Sequence, residues 1–169
     1  MLCNRLVTLL TLNEGVLYRT KEFSPDYRYT LNFIDSWLVD EIIILNISRS
    51  TESTYSHFLK VAASIADKSF VPICFGGGIR SLDDINKALT HGADKISLNT
   101  SLHEDASFVK KAVMRYGSQC IVASIDVRKV DGKYIVYKNF GQERTKFEIF
   151  QFASYCEEIG CGEILINCI

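Results

Sequence analysis

A chain of 169 residues with 47% hydrophobic and 23% charged residues has the composition of one globular domain with a core of its own. Its formal charge of −1 excludes the broad basic field that attracts nucleic acids or anionic membranes, so any bound anion must be held by a local site. No apolar run approaches the roughly 18 residues of a membrane helix. Arg5 also falls where a secretion signal would need an apolar stretch, so the expectation is a cytoplasmic protein with no membrane or nucleic-acid partner.

In chain order, a strand is predicted over Arg5–Leu12, helical spacing over Leu31–Leu38, a strand over Glu41–Ile47 and a helix over Tyr55–Ala66. A strand follows at Val71–Phe75. The next helix, Leu82–His91, carries its own boundaries: Ser81-Leu82-Asp83-Asp84 reads as an N-terminal cap and Gly92 as a left-handed terminator. Then come a strand at Lys95–Leu98, a helix at Ala106–Tyr116 and a strand at Cys120–Val127. Asp131-Gly132 is a favoured hairpin pair, so Lys133–Lys138 is predicted to form a short β-ribbon above that fifth strand. A helix at Phe147–Ile159 and a strand at Glu163–Cys168 complete the order.

The six strands are apolar on both faces and alternate with helices, the pattern of a parallel sheet covered by helices. The segment Leu6–Thr11 resembles Ile121–Asp126, and Asp40–Leu45 resembles Gly162–Ile166, as though the chain began again near Cys120. The expected fold is therefore an α/β parallel (β/α)8 TIM barrel with about six of its eight units present. It would be a single domain over 1–169 made of a first half, 1–119, and the start of a second, 120–169, and it would stop about two strands short of closing.

The six cysteines, Cys3, Cys74, Cys120, Cys156, Cys161 and Cys168, lie in apolar stretches without a Cys-x-x-Cys pair. They are expected to be small buried residues rather than disulfides or zinc ligands. His57, His91 and His103 have no carboxylate or cysteine at ligand spacing, so neither metal nor cofactor is predicted.

Three places at strand ends suggest chemistry. Gly76-Gly77-Gly78 lies between a buried strand and a helix, where glycine lets backbone N–H groups approach an anion, phosphate above all; the alternative is a tight turn that needs positive φ. Asn99 and Thr100 end the next strand and could complete those phosphate contacts, or could simply cap the following helix. Asp126 ends the fifth strand, where a carboxylate can act as general acid or base, or can instead cap the ribbon. At the opposite rim, Arg5, Glu41, Lys95 and Glu163 each start a strand and alternate in sign, which geometry alone reads as a salt-bridge ring sealing the barrel bottom.

Taken in order, Phe75-Gly76-Gly77-Gly78-Ile79, Gly92–Thr100, Gly117-Ser118-Gln119, Ile125-Asp126 with Val130-Asp131-Gly132, and Gly160–Leu165 resemble the imidazole glycerol phosphate synthase cyclase (HisF) family over nearly the whole chain. The resemblance implies a cofactor-free lyase-type synthase subunit that takes ammonia from a glutaminase (HisH-like) partner and acts on a phosphorylated small molecule. It assigns the fifth-strand catalytic aspartate to Asp126 and an ammonia gate to Arg5, Glu41, Lys95 and Glu163. Thr11 stands where the family has its first-strand aspartate, Asn46 replaces a second-strand aspartate, Arg19 takes the place of a substrate-loop lysine, and the Gly-Asp-Pro element before the first helix is missing.

Threonine cannot shuttle protons near neutral pH as a carboxylate does. The pattern without the first aspartate resembles a paralogous branch of the family that builds amidino groups on nucleotide-linked sugars for surface polysaccharides. Two alternatives remain: the cyclase of histidine biosynthesis itself, and a non-catalytic scaffold or truncated remnant that binds the glutaminase.

Overall fold

The computed structural model describes residues 4–21, 24–28, 39–48 and 52–169. The helix expected at Leu31–Leu38 and the cysteine Cys3 lie outside the described residues. The chain divides into two compact units, Met1–Gly78 with Asn86–Ile96, and Ile79–Ile85 with Ser97–Ile169.

In the first unit, β1 (Val7–Asn13), β2 (Val16–Lys21) and β3 (Ser24–Arg28) precede β4 (Glu41–Asn46), α1 (Glu52–Ala66) and β5 (Ile73–Gly76). Strand β4 pairs in parallel with β1 on one side and β5 on the other, and every one of its residues is buried. A strand enclosed on both faces has no use for polar alternation, which explains the unbroken Ile42-Ile43-Ile44-Leu45. The crossover α1 buries Phe58, Leu59, Ala62 and Ile65, a stripe at helical spacing. Phe58 meets Phe75 of β5 edge-on, ring centroids 5.9 Å apart.

β2 and β3 do not figure in the sequence reading. Glu14 and Gly15 have φ of 49° and 75°, a left-handed pair that folds β2 back antiparallel on β1 and sets Thr11 opposite Tyr18. The next boundary behaves as expected: Ser81 and Asp84 cap α2 (Leu82–Thr90) reciprocally, the Ser81 hydroxyl accepting from the Asp84 N–H at 3.1 Å while the Asp84 carboxylate accepts from Ser81 N–H at 3.0 Å. Gly92 then leaves the helix at φ 98°.

β6 (Lys95–Leu98) leads into the second unit, which holds α3 (Thr100–Glu104), α4 (Ala106–Tyr116), β7 (Ile121–Val130), β8 (Lys133–Lys138), β9 (Glu143–Glu148), α5 (Ile149–Glu158) and β10 (Glu163–Cys168). The ribbon expected after Asp131-Gly132 is β8, antiparallel to β7, and it gains a third strand in β9. The helix predicted from Phe147 therefore starts later, at Ile149. Thr145 donates its hydroxyl to the Val136 carbonyl at 2.8 Å and Ile135 pairs with Glu148, so ribbon pairing takes these residues before the helix can. The short α3 was not predicted either.

Two parallel pairs share one register. Val7 to Leu12 of β1 face Glu41 to Asn46 of β4, and Val122 to Val127 of β7 face Glu163 to Cys168 of β10. Each pair is closed by a backbone bond one residue on, Ile47 N–H to the Leu12 carbonyl at 2.9 Å and Ile169 N–H to the Val127 carbonyl at 3.0 Å. Parallel strands alternating with helices are the α/β architecture of a partial (β/α)8 barrel, as expected.

The cysteines divide. Cys74, Cys120 and Cys156 are buried as predicted, but Cys161 is half-buried and Cys168 exposed. β10 alternates half-buried and exposed positions, and Cys168 falls on the exposed face with Ile164 and Ile166. Cys161 lies in the turn between Gly160 and Gly162, where burial pushes its thiol up to about 11; burial likewise takes Cys156 to about 12. Neither is a thiolate near neutral pH.

Candidate functional site

Asp126 sits on β7 after the buried run Ile121–Ile125 and is itself only 3% exposed. A carboxylate in that position would lack water, and two asparagine side chains replace it. The Asn99 amide, just past β6, donates to Asp126 Oδ2 at 3.2 Å and to the Ser124 carbonyl at 2.9 Å. From the other side, the Asn167 amide on β10 donates to Asp126 Oδ1 at 3.0 Å and to Ser124 Oγ at 3.0 Å. Parallel pairing sets Asn167 directly beside Asp126, which brings two residues 41 apart in sequence into contact.

Burial raises the Asp126 carboxyl from its ordinary 3.8 to about 6, opposed by the hydrogen bonds from Asn167 and Asn99. That value suits proton transfer in either direction near neutral pH. Sequence reasoning found Asp126 and Asn99 but missed Asn167 and Ser124. The signal for Asn167 was present, a lone amide near the C-terminal end of an otherwise apolar strand, the same position that singled out Asp126. Asn99 makes no side-chain cap to α3, and its amide is hydrogen-bonded to β7. Thr100 opens α3 half-buried, and the Ser101 hydroxyl donates to the Ile79 carbonyl at 2.7 Å.

In the first unit, Gly77 and Gly78 follow β5 with φ of 90° and 80°. A Cβ on Gly77 would overlap the backbone of Asn46, whereas one on Gly78 would meet nothing within 4 Å. Gly77 is thus required by packing, and Gly78 is the residue whose openness leaves room for an approaching ligand. Asn46 is buried at the end of β4, its side-chain oxygen accepting from Ser48 N–H at 3.1 Å. Arg19 is exposed on β2, opposite Tyr27 in the hairpin.

Thr11 is buried, and its hydroxyl donates to the Tyr18 carbonyl at 2.5 Å. The donor that replaces the expected carboxylate is thus committed to holding β2 on β1.

In the first unit, Arg5, Glu41 and Lys95 meet. Glu41, its side chain 3% exposed, accepts from Lys95 at 3.1 Å on each oxygen and from Arg5 at 2.8 Å. Lys95 is 14% exposed and Arg5 50%, so the lysine is the inner partner and the arginine the outer. Two aspartates brace the same rim: Asp40 accepts from Leu6 N–H at 2.7 Å and Asp94 from Ile73 N–H at 2.8 Å. Glu163 begins β10, half-buried, in the second unit.

The histidines stand apart from these groups. His57 is exposed on α1, and the His91 ring lies 2.7 Å from the Lys87 carbonyl. His103 stacks on Phe152 with ring centroids 4.2 Å apart, and burial, with Lys138 nearby, lowers it to about 4. No cluster that could hold a metal ion occurs among the described residues, and no described helix is long and apolar enough to cross a membrane.

Comparison with known proteins follows the same outline. A family described as "Histidine biosynthesis protein" matches residues 8–169. The chain is 39% identical over 172 residues to the imidazole glycerol phosphate synthase subunit HisF of Exiguobacterium sp., covering 99% of this chain and 67% of that one. To the subunit of the same name from Chlorobium phaeobacteroides it is 37% identical over 173 residues, 99% of this chain and 68% of the other. To that of Chlorobaculum tepidum it is 34% identical over 175 residues, with the same coverage.

Proposed function

The chain belongs to the histidine biosynthesis protein family, and from that premise we propose that this HisF-like synthase subunit receives glutamine-derived ammonia from a glutaminase partner and adds it to a phosphorylated or nucleotide-linked sugar. The observation that carries the reading is the pairing of one tuned carboxylate with one absent carboxylate. Asp126 is buried, held on both oxygens and raised to about 6. Such a group can take a proton from the nitrogen as it bonds to carbon and return it to a departing oxygen, the two halves of general acid–base catalysis. At Thr11 the side chain offers a hydroxyl already bonded to Tyr18, which supports a substrate and proton path different from those of a two-carboxylate cyclase.

The other expected parts fit this reading. Gly78 leaves open backbone beside the end of β5, suited to a substrate phosphate, and Arg19 is exposed on the first hairpin, suited to a substrate anion. A buried carboxylate between two cations at the start of β4 suits a charged entrance facing a partner that delivers ammonia. Amidino-sugar formation for surface polysaccharides is the process we assign. The chain would then be a duplicated half-barrel in design, a view supported by the shared register of its two parallel pairs.

The cyclase reaction of histidine biosynthesis is the second reading, favoured by the names of the relatives. Expression of this chain in a histidine-requiring strain that lacks its cyclase separates the two. Absence of growth, together with ammonia-dependent turnover of a nucleotide-linked sugar that Asp126→Asn reduces by about 100-fold or more, is the expected result. Growth without histidine would overturn the amidino-sugar assignment.

A further inference from the structure

The two asparagines beside Asp126 do more than satisfy a buried carboxylate. A side-chain amide has two N–H donors on one nitrogen. In Asn99 one goes to the Ser124 carbonyl and the other to Asp126 Oδ2; in Asn167 one goes to the Ser124 hydroxyl and the other to Asp126 Oδ1. Each amide therefore bridges the same two positions of β7, one from the side of β6 and one from β10. Because both N–H groups of each amide are engaged, neither side chain can rotate without losing a bond to the strand as well as one to the carboxylate. We propose that Asn167 is a positioning residue for Asp126, acting with Asn99 as a two-sided amide clamp that holds the carboxylate in one rotamer with both oxygens kept as acceptors.

Its catalytic meaning rests on the function proposed above, but the clamp itself is a property of the folded chain. Asp126 has Asn99 beyond β6 and Asn167 on β10 as hydrogen-bond partners, and Tyr137 opposite it on β8. Arg128, two residues along β7, lies over the Tyr137 ring at 5.0 Å. Burial raises the proton affinity of the carboxyl and the two amides lower it. The amides favour the ionised form, so removing one must move the carboxyl further in the direction in which burial already pushes it.

The test is carboxyl-detected NMR titration of the full chain. In Asn167→Ala, the Asp126 midpoint is expected to rise by about one pH unit, and in Asn99→Ala by a comparable amount. In the unaltered protein, the side-chain amide signals of both asparagines should shift with the Asp126 midpoint, a measurement that does not require any variant to fold. Amide signals indifferent to that titration, or a folded Asn167→Ala protein whose Asp126 midpoint is unchanged, would reduce Asn167 to a tether between β10 and β7 and overturn the proposal. Turnover assays of Asp126→Asn bear on the catalytic reading alone, so a failed clamp and a failed function are told apart.

Discussion

Replacing Asp126 with asparagine is expected to stabilise the protein at neutral pH while removing its proton-transfer group. The carboxyl titrates at about 6 when folded, against an ordinary 3.8, because burial outweighs the two amide hydrogen bonds. Between about pH 4 and pH 6 the folded protein holds a proton that the unfolded chain has released, so stability falls as pH rises through that window and stays lower above it. A gap of about two pH units corresponds to about 3 kcal/mol at ~1.4 kcal/mol per tenfold change in a proton equilibrium. Asparagine removes the charge but turns an NH2 group toward an amide donor of Asn99 or Asn167, which gives back about 1 kcal/mol. The net expectation is about 2 kcal/mol of added stability at pH 7.5, shrinking to nothing or reversing at pH 4. Urea unfolding of both proteins at the two pH values, with equal m-values, measures this. A variant destabilised to the same extent at both would refute the reasoning, since the carboxylate's hydrogen bonds would then outweigh its desolvation.

At the charged rim, Lys95→Met leaves the buried Glu41 with only its half-exposed arginine and should cost about 2 kcal/mol, whereas Glu41→Gln/Lys95→Met should recover at least about 1 kcal/mol of that; strictly additive denaturation energies would mean the pair is not coupled. Under the proposed function, Lys95→Ala should also impair glutamine-driven turnover much more than phosphate-ligand binding, and equal losses in both assays would leave a purely structural cluster. Gly77→Ala should destabilise by about 3 kcal/mol or more through overlap with the Asn46 backbone, while Gly78→Ala should cost only about 1–2 kcal/mol. Calorimetric binding of a sugar phosphate to Gly78→Ala is therefore the informative phosphate test, and unchanged affinity would remove that loop from the site. Thr11→Asp should not restore a working carboxylate but destabilise by about 2–4 kcal/mol, because a buried carboxylate would face the Tyr18 carbonyl with no donor between them; a thermal midpoint equal to the parent's would contradict this.

The sequence by itself determined what local chemistry can encode. Both-sided apolarity announced β4, β7 and the parallel class, because a strand enclosed on both faces cannot afford polar alternation. Ser81, Asp84 and Gly92 bounded α2 through backbone groups within a few residues of themselves, and the ordered glycine and aspartate motifs carried the family. Other features needed contacts between distant residues. The Glu14-Gly15 turn lacks the usual Asn-Gly or Asp-Gly pair, so β2 became visible only through its pairing with β1. Thr11 reads as a missing acid until its hydroxyl is seen donating to the Tyr18 carbonyl, and nothing in the sequence around Asn99 announces its bond to Asp126, 27 residues away. Asn167 looked like one polar residue in an apolar strand, and Glu41 like one charge among four at a rim. Parallel pairing of β10 with β7 gave the first its carboxylate, and the Lys95 ammonium, 54 residues along the chain, made the second a buried ion pair. Propensity and capping act over a few residues and are written locally, whereas the partner of a buried polar group is chosen by strand register, which exists only once the sheet has formed.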